Sequence, residues 1–91
     1  MLQPIFTQSF ERDVNRIKKR AYKMQSLIDI INLLLSNKRP LSPVYKDHPL
    51  KGEFHPKREL HIAPDWLLIY EISGSQCFFA RTGTHSDIFG K

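Results

Sequence analysis

The chain has 91 residues, with 14 lysines and arginines against 9 aspartates and glutamates, a net charge of +5 and an isoelectric point near 9.6. That length fits one domain, residues 1–91, and excludes two domains. The positive net charge favours a polyanionic partner such as nucleic acid or an acidic protein. The single Cys77 excludes a disulfide framework and a cysteine-rich zinc site. The sequence shows no signal-like leader and no apolar run of 18 residues, so we expect a soluble, cytoplasmic protein.

The first half of the chain predicts a short edge strand and two helices. Residues 2–7 are largely apolar around Pro4, a pattern that an edge strand tolerates. From Ser9 onward the spacing predicts an amphipathic helix with a basic outer side. Its apolar positions are Phe10, Val14, Ile17 and Ala21. A second helix over Met24–Ser36 has so little polar surface that it must be covered on more than one side.

The second half predicts a sheet. Two prolines stop the second helix and open an extended loop that runs through Gly52. Beyond it the apolar period changes to two, which predicts strands over residues 58–62, 66–73 and 76–82. Short turns join these strands into an antiparallel meander, with the helices packed on one face and the N-terminal strand at an edge. The predicted class is α+β, with a short helical turn after Gly83.

Three histidines in separate segments, His48, His61 and His85, are the main candidates for chemistry. They can converge because a meander brings the ends of neighbouring strands together. If the apolar neighbours of His61 point into the core, His61 faces the open side of the sheet, and Asp65 follows just across the turn. These groups can exchange protons near neutral pH, whereas His55 in the loop EFHPK is expected to be an ordinary surface residue.

Substrate-binding residues are predicted around these groups. They are Lys51, Trp66, Arg81 and Phe89. Alternation along the last strand places Arg81 on the open face together with Cys77 and Phe79, although the run CFFA favours packing for the cysteine. Phe89 lies one helical turn after His85, and both it and Trp66 either pack within the protein or stack on a base.

Metal binding is the main rival interpretation of the same side chains. Three histidines and an aspartate suit zinc or a redox metal, but spacings of 13 and 24 residues between the histidines match no compact metal motif. No glycine-rich phosphate loop or nucleophile elbow occurs either. We therefore expect no metal and no cofactor.

At these residues the sequence resembles the YafQ branch of the RelE/ParE toxin superfamily, which are ribosome-dependent mRNA interferases of type II toxin–antitoxin modules. The resemblance spans nearly the whole chain and is strongest in VYKDHPLKG, ELHIAPDWLLIY and RTGTHSDIFG. It implies a RelE-like fold with the active site on the concave face of the sheet. The family's site positions are occupied here, without departure, by His48, His61, Asp65, His85 and Phe89.

The resemblance also implies a metal-independent mechanism. A base takes the proton of a ribose 2′-OH, the oxygen attacks the adjacent phosphorus, and an acid protonates the departing 5′-oxygen. We expect His85 to be the acid or the base. Asp65 and His61 would supply the second proton-transfer group or orient His85. His48 and Arg81 would stabilise charge on the phosphate, and which group is the acid stays open.

The partners implied are mRNA on the ribosome and an acidic antitoxin, with operator DNA bound through the antitoxin complex. The basic side of the first helix is a candidate antitoxin surface. Its residues are Arg12, Arg16, Lys19 and Arg20. The alternative function, from a different class, is a non-catalytic ParE-like toxin or partner-dependent binding module, in which the histidines are dispensable.

Overall fold

The computed structural model describes residues 1–90, in which two helices pack against a five-stranded sheet and a third, short helix follows its last strand. In chain order the elements are β1 (Gln3–Phe6), α1 (Gln8–Lys19), α2 (Met24–Ser36), β2 (His48–Pro49), β3 (Arg58–Ala63), β4 (Trp66–Ser73), β5 (Gln76–Gly83) and α3 (His85–Phe89). The predicted α+β class, the edge position of β1 and the helical turn after Gly83 are confirmed. Within residues 1–90, no helix is long and apolar enough to span a membrane.

Local sequence explains where the two long helices begin and end. The hydroxyl of Thr7 caps α1 by accepting the backbone N–H of Phe10 at 3.0 Å. Basic residues in the last turn of α1 oppose the partial negative charge of its carbonyl end. Asn37 ends α2 in the left-handed conformation, at φ 56°, which asparagine tolerates better than most residues.

The sheet has the strand order β1-β5-β4-β3-β2. Strands β3, β4 and β5 form the predicted antiparallel meander. Two features differ from the prediction. β1 pairs with β5 in parallel, so the sheet is mixed. The segment expected to be a loop contributes β2, which pairs His48 with Glu59 at the opposite edge, and Pro49 limits that edge strand to two residues.

The main core lies between the sheet and the two long helices. Leu60 of β3 is fully buried there, which confirms that the apolar side of β3 faces the helices. Cys77 and Phe79 are also fully buried in this core, so the expectation that they share an open face with Arg81 is wrong. Burial raises the pKa of the Cys77 thiol to about 11, which suits a packing residue.

Candidate active site

The face of the sheet away from α1 and α2 carries the candidate chemistry. Glu59 and His61 flank the core residue Leu60 on β3, and alternation turns both toward this second face. Their cross-strand partners on β4 are Ile69 and Leu67, which are almost fully buried. Paired residues of antiparallel strands share a face, so these two side chains form an apolar floor beneath the polar groups.

A buried carboxylate lies between two of the predicted histidines. β2 places His48 directly opposite Glu59, and His48 Nε2 lies 3.2 Å from Glu59 Oε2. The Nε2 atom of His61 lies 3.8 Å from the same oxygen. Glu59 is only 5% exposed. The sequence interpretation missed this residue, although its i, i+2 spacing from His61 puts the two on one face of a strand.

His85 forms a second cluster with Asp65. Thr84 caps α3 in a reciprocal capping box with Asp87, which places His85 at the first position of the helix. Asp65 Oδ1 accepts the backbone N–H of His85 at 3.2 Å and lies 3.3 Å from its Nδ1. The rings of His61 and His85 have centroids 6.3 Å apart, so the two clusters border one another.

An aromatic row extends from the second cluster. Phe89 lies 5.9 Å from His85 between ring centroids, and Phe54 meets Phe89 edge-on at 5.2 Å. Phe54 belongs to a short 3₁₀ turn in the connection before β3 and was not singled out from the sequence. Rings next to acid–base groups provide a surface on which an unpaired base can stack.

Arg81 is bound to acceptors of the protein itself. Its Nε donates to Asp13 Oδ2 at 2.6 Å, and its Nη2 donates to Asp13 Oδ1 at 3.1 Å and to the carbonyl oxygen of Asp87 at 3.2 Å. A bulge in the pairing of β4 with β5, between Ile69 and Tyr70, redirects the strand just before Arg81. The guanidinium therefore ties α1, β5 and α3 together, and phosphate binding by this residue stays a prediction.

Trp66 packs within the protein. It is 5% exposed, its indole N–H donates to Thr82 Oγ1 at 3.0 Å, and its ring meets Tyr22 edge-on at 5.0 Å. Its burial corrects the expectation that Trp66 stacks on a nucleotide. Lys51 is exposed after β2, as a residue at the rim of a polyanion site needs to be.

The residue before His48 is firmly anchored. Asp47 Oδ1 accepts the Tyr70 hydroxyl at 2.5 Å, and Asp47 Oδ2 accepts from Arg58 at 3.1 Å and from Arg39 at 3.3 Å. Burial, and then the bond to Asp47, raise the pKa of Tyr70 to about 12, against the opposing effect of Arg39. This cluster holds the segment that delivers His48 to β2.

A second ionic cluster holds α3 against α1. Arg20 binds Asp87 through two hydrogen bonds, at 2.7 and 3.1 Å, and Arg16 lies 3.9 Å from the same carboxylate. The Arg20 guanidinium, helped by Thr84, holds the pKa of Asp87 well below its usual range. Two of the four basic residues predicted to face an antitoxin are therefore occupied by α3.

Comparison with known proteins gives a match along almost the whole chain. A family model described as the bacterial toxin of type II toxin-antitoxin system, YafQ, matches residues 2–90. The mRNA interferase toxin YafQ of Escherichia coli is 41% identical over 85 residues, which cover 93% of this chain and 92% of that protein.

Solved structures share the architecture as well. The YafQ fold in a crystal structure of the E. coli DinJ-YafQ complex matches with a TM-score of 0.92 and 39% identity, over 99% of this chain and 100% of that chain. A metal-bound toxin from Helicobacter pylori matches with a TM-score of 0.89 and 36% identity, over 98% and 100% of the two chains. Sequence and fold therefore point to the same group of proteins.

Proposed function

Because the chain belongs to the YafQ family of toxins of type II toxin–antitoxin systems, we propose that it is an mRNA interferase that cleaves mRNA in the ribosomal A site and so inhibits translation. The observation that carries the proposal is the meeting of the His85–Asp65 pair with His61, at 6.3 Å between the two imidazole rings, beside an aromatic row. Acid–base groups and stacking surfaces are what RNA cleavage requires from a protein.

RNA carries its own nucleophile, which determines the chemistry that the protein must supply. A base takes the proton of the ribose 2′-OH, and the oxygen attacks the adjacent phosphorus. The bond from phosphorus to the 5′-oxygen breaks, and an acid gives that oxygen a proton. The products are a 2′,3′-cyclic phosphate end and a 5′-hydroxyl end, and across the whole reaction the protein gains no proton.

His85 is the proposed proton-transfer group closest to the aromatic row. Asp65 accepts at Nδ1 and so favours the tautomer with its hydrogen on that atom, which leaves Nε2 to exchange a proton with the RNA. His61 and Asp65 are its proposed counterparts. Arg81 adds positive charge from its position behind α3, and His48 faces the same surface from β2.

A metal nuclease is the competing chemistry. Within residues 1–90, no group of three or more histidine, cysteine or carboxylate side chains is arranged to hold a metal ion. Chelator-insensitive cleavage, with magnesium retained for the ribosomes, is the expected result.

An antitoxin is the proposed protein partner, because the related E. coli YafQ has been crystallised with DinJ. We propose that an acidic segment of the antitoxin binds this basic chain, and that operator DNA is bound through the resulting complex. Arg12 and Lys19 lie on the exposed side of α1 and are available for this contact.

Primer extension on an mRNA translated in a purified system tests the function. The wild type, His85→Ala and His55→Ala are compared, with a reaction lacking ribosomes. We expect cuts within codons that require ribosomes, vanish with His85→Ala and persist with His55→Ala, since His55 lies outside both clusters. Translation inhibited by all three proteins without any cut would instead identify a non-catalytic binding module.

A further inference from the structure

Both ring nitrogens of His48 lie close to oxygen atoms, Nδ1 at hydrogen-bond distance from a carbonyl and Nε2 at ion-pair distance from a carboxylate. Nδ1 lies 2.7 Å from the carbonyl oxygen of Lys46, and Nε2 lies 3.2 Å from Glu59 Oε2. A carbonyl oxygen can only accept, and so can an ionised carboxylate. Each contact is attractive only where the nitrogen carries hydrogen, and an imidazole with hydrogen on both nitrogens is an imidazolium cation.

The burial of Glu59 gives the second argument. A carboxylate that is 5% exposed is costly unless a positive charge or hydrogen-bond donors compensate it. Across β4 its neighbour is the apolar Ile69. Within residues 1–90 its ionic partners are His48, and His61 at 3.8 Å.

Other charged groups on the surrounding strands are engaged elsewhere. Arg58 on β3 binds Asp47, and Arg81 on β5 binds Asp13. Glu71 on β4 lies 3.9 Å from Lys57. On α3, His85 is paired with Asp65. Among the basic groups named here, the imidazoles of His48 and His61 are the ones that lie beside Glu59.

We infer that Glu59 is a positioning residue that holds His48 doubly protonated, so that His48 meets the RNA as a cationic hydrogen-bond donor and not as the base. The inference rests on the proposed function and deepens it, because it divides the roles of the histidines. An imidazolium has no lone pair with which to take the 2′-OH proton. It can give a proton or stabilise a negatively charged phosphate, and the base is then in the other cluster.

The exposure of the two carboxylates supports this division. The side chain of Glu59 is 7% exposed, whereas that of Asp65 is 66% exposed. Water screens the charge of Asp65, but the protein surrounds that of Glu59, so the demand for a fixed cation is much stronger at Glu59. The carboxylate partner of His48 is thus buried, whereas that of His85 is exposed to solvent.

Nitrogen NMR of the histidine rings tests the inference without any RNA. Long-range ¹H–¹⁵N spectra of the labelled wild type at neutral pH distinguish a doubly protonated ring from either neutral tautomer, and His48→Gln assigns the signal. We expect both nitrogens of His48 to be protonated in the wild type and one to lose its proton in Glu59→Gln. A neutral His48 ring in the wild type, or an unchanged ring in Glu59→Gln, would overturn the proposal.

Kinetics give the second readout. Cleavage of ribosome-bound mRNA by Glu59→Gln should fall about 10- to 100-fold in kcat with little change in KM, less than the roughly 10²–10⁴-fold expected when an acid or base itself is removed. Glu59→Asp should recover part of the rate because it restores the charge. Glu53→Gln, a matched change at an exposed glutamate, should cleave like the wild type.

The outcomes separate the two proposals. If the ring of His48 behaves as expected but the wild type cuts no mRNA, the proposed function fails and the protonation state stands. If the wild type cuts mRNA and Glu59→Gln cuts equally well, the positioning role of Glu59 is wrong. Should Glu59→Gln fail to fold, the spectrum of the wild type still decides the protonation of His48.

Discussion

Asp65 contacts His85 twice through one carboxylate oxygen, since Oδ1 lies 3.2 Å from the backbone nitrogen of His85 and 3.3 Å from its Nδ1. The oxygen thus fixes the start of α3 and the orientation of the ring together. The connection after β3 and the helix after β5 meet at this point, so the position of His85 depends on elements that are distant in sequence.

Replacing Asp65 with asparagine is expected to slow mRNA cleavage about 10- to 100-fold while leaving the fold intact. The change removes the charge that favours the hydrogen on Nδ1, so a fraction of the His85 rings adopt the wrong tautomer. Single-turnover cleavage on ribosomes measures the effect. Asp29→Asn, at an exposed position of α2, is the matched control, and equal rates for the two variants would contradict the proposed role of Asp65.

Asp87→Asn is expected to destabilise the protein by about 1–2 kcal/mol at pH 7, because it weakens the capping box of α3 as well as the contact with Arg20. The pKa of Asp87 is lower in the folded protein than in the unfolded chain. Its carboxylate therefore contributes stability above about pH 4, and that stability is lost as the pH falls further.

Urea unfolding of the wild type and Asp87→Asn between pH 7 and pH 3 measures this difference. The gap between the two free energies of unfolding should narrow below about pH 4. A gap that stays constant down to pH 3 would show that the charge of Asp87 is not what stabilises α3.

Gly83→Ala is expected to destabilise the junction between β5 and α3. A Cβ at Gly83 would lie 2.9 Å from Asp87 Oδ2 and 3.0 Å from Asp87 Cβ, at a backbone φ of +146°. Gly74→Ala is the matched control, because Gly74 also has a positive φ, +59°, but an added Cβ there meets nothing within 4 Å. Gly83→Ala should lose roughly 1–3 kcal/mol more than Gly74→Ala in chemical unfolding, and equal losses would disprove the clash.

Tyr70→Phe is expected to cost about 1–2 kcal/mol, because it removes the hydroxyl that donates to Asp47. The raised pKa of Tyr70, about 12, means that its neutral form contributes stability below about pH 10 and that this contribution is lost as the pH rises toward 12. Unfolding at pH 8 and above pH 10 checks the sign. Tyr45→Phe is the control for losing a tyrosine hydroxyl, because it leaves the hydroxyl of Tyr70 in place.

Much of the fold follows from periodicity alone. The 3.6-residue spacing predicted α1 and α2, and alternation with short turns predicted the meander of β3, β4 and β5. The parallel pairing of β1 with β5 was not predicted, because it depends on a contact between chain segments that no local pattern records. The same holds for β2, since a two-residue strand next to a proline is too short to show a period.

The candidate site divides in a similar way. The proximity of His61, Asp65 and His85 follows from the meander, which brings strand ends together. The position of the Arg81 side chain could not be predicted from strand alternation, because the bulge in β5 and the buried Asp13 on α1 redirect it. Trp66 was misplaced because a large ring beside a motif aspartate suits the core as well as the surface, and only packing against Tyr22 distinguishes them.

The parallel pair of β1 with β5 joins two segments that are made at different times during synthesis of the chain. Residues 3–6 are synthesised well before residues 76–79, their partners in the sheet. His85 and Phe89 follow later still. A nascent chain released before residue 85 lacks α3, and with it the imidazole and the aromatic ring proposed to act on RNA. Under the proposed function, a toxin that cut its own message before the codon of His85 would yield inactive products, which would limit its own accumulation.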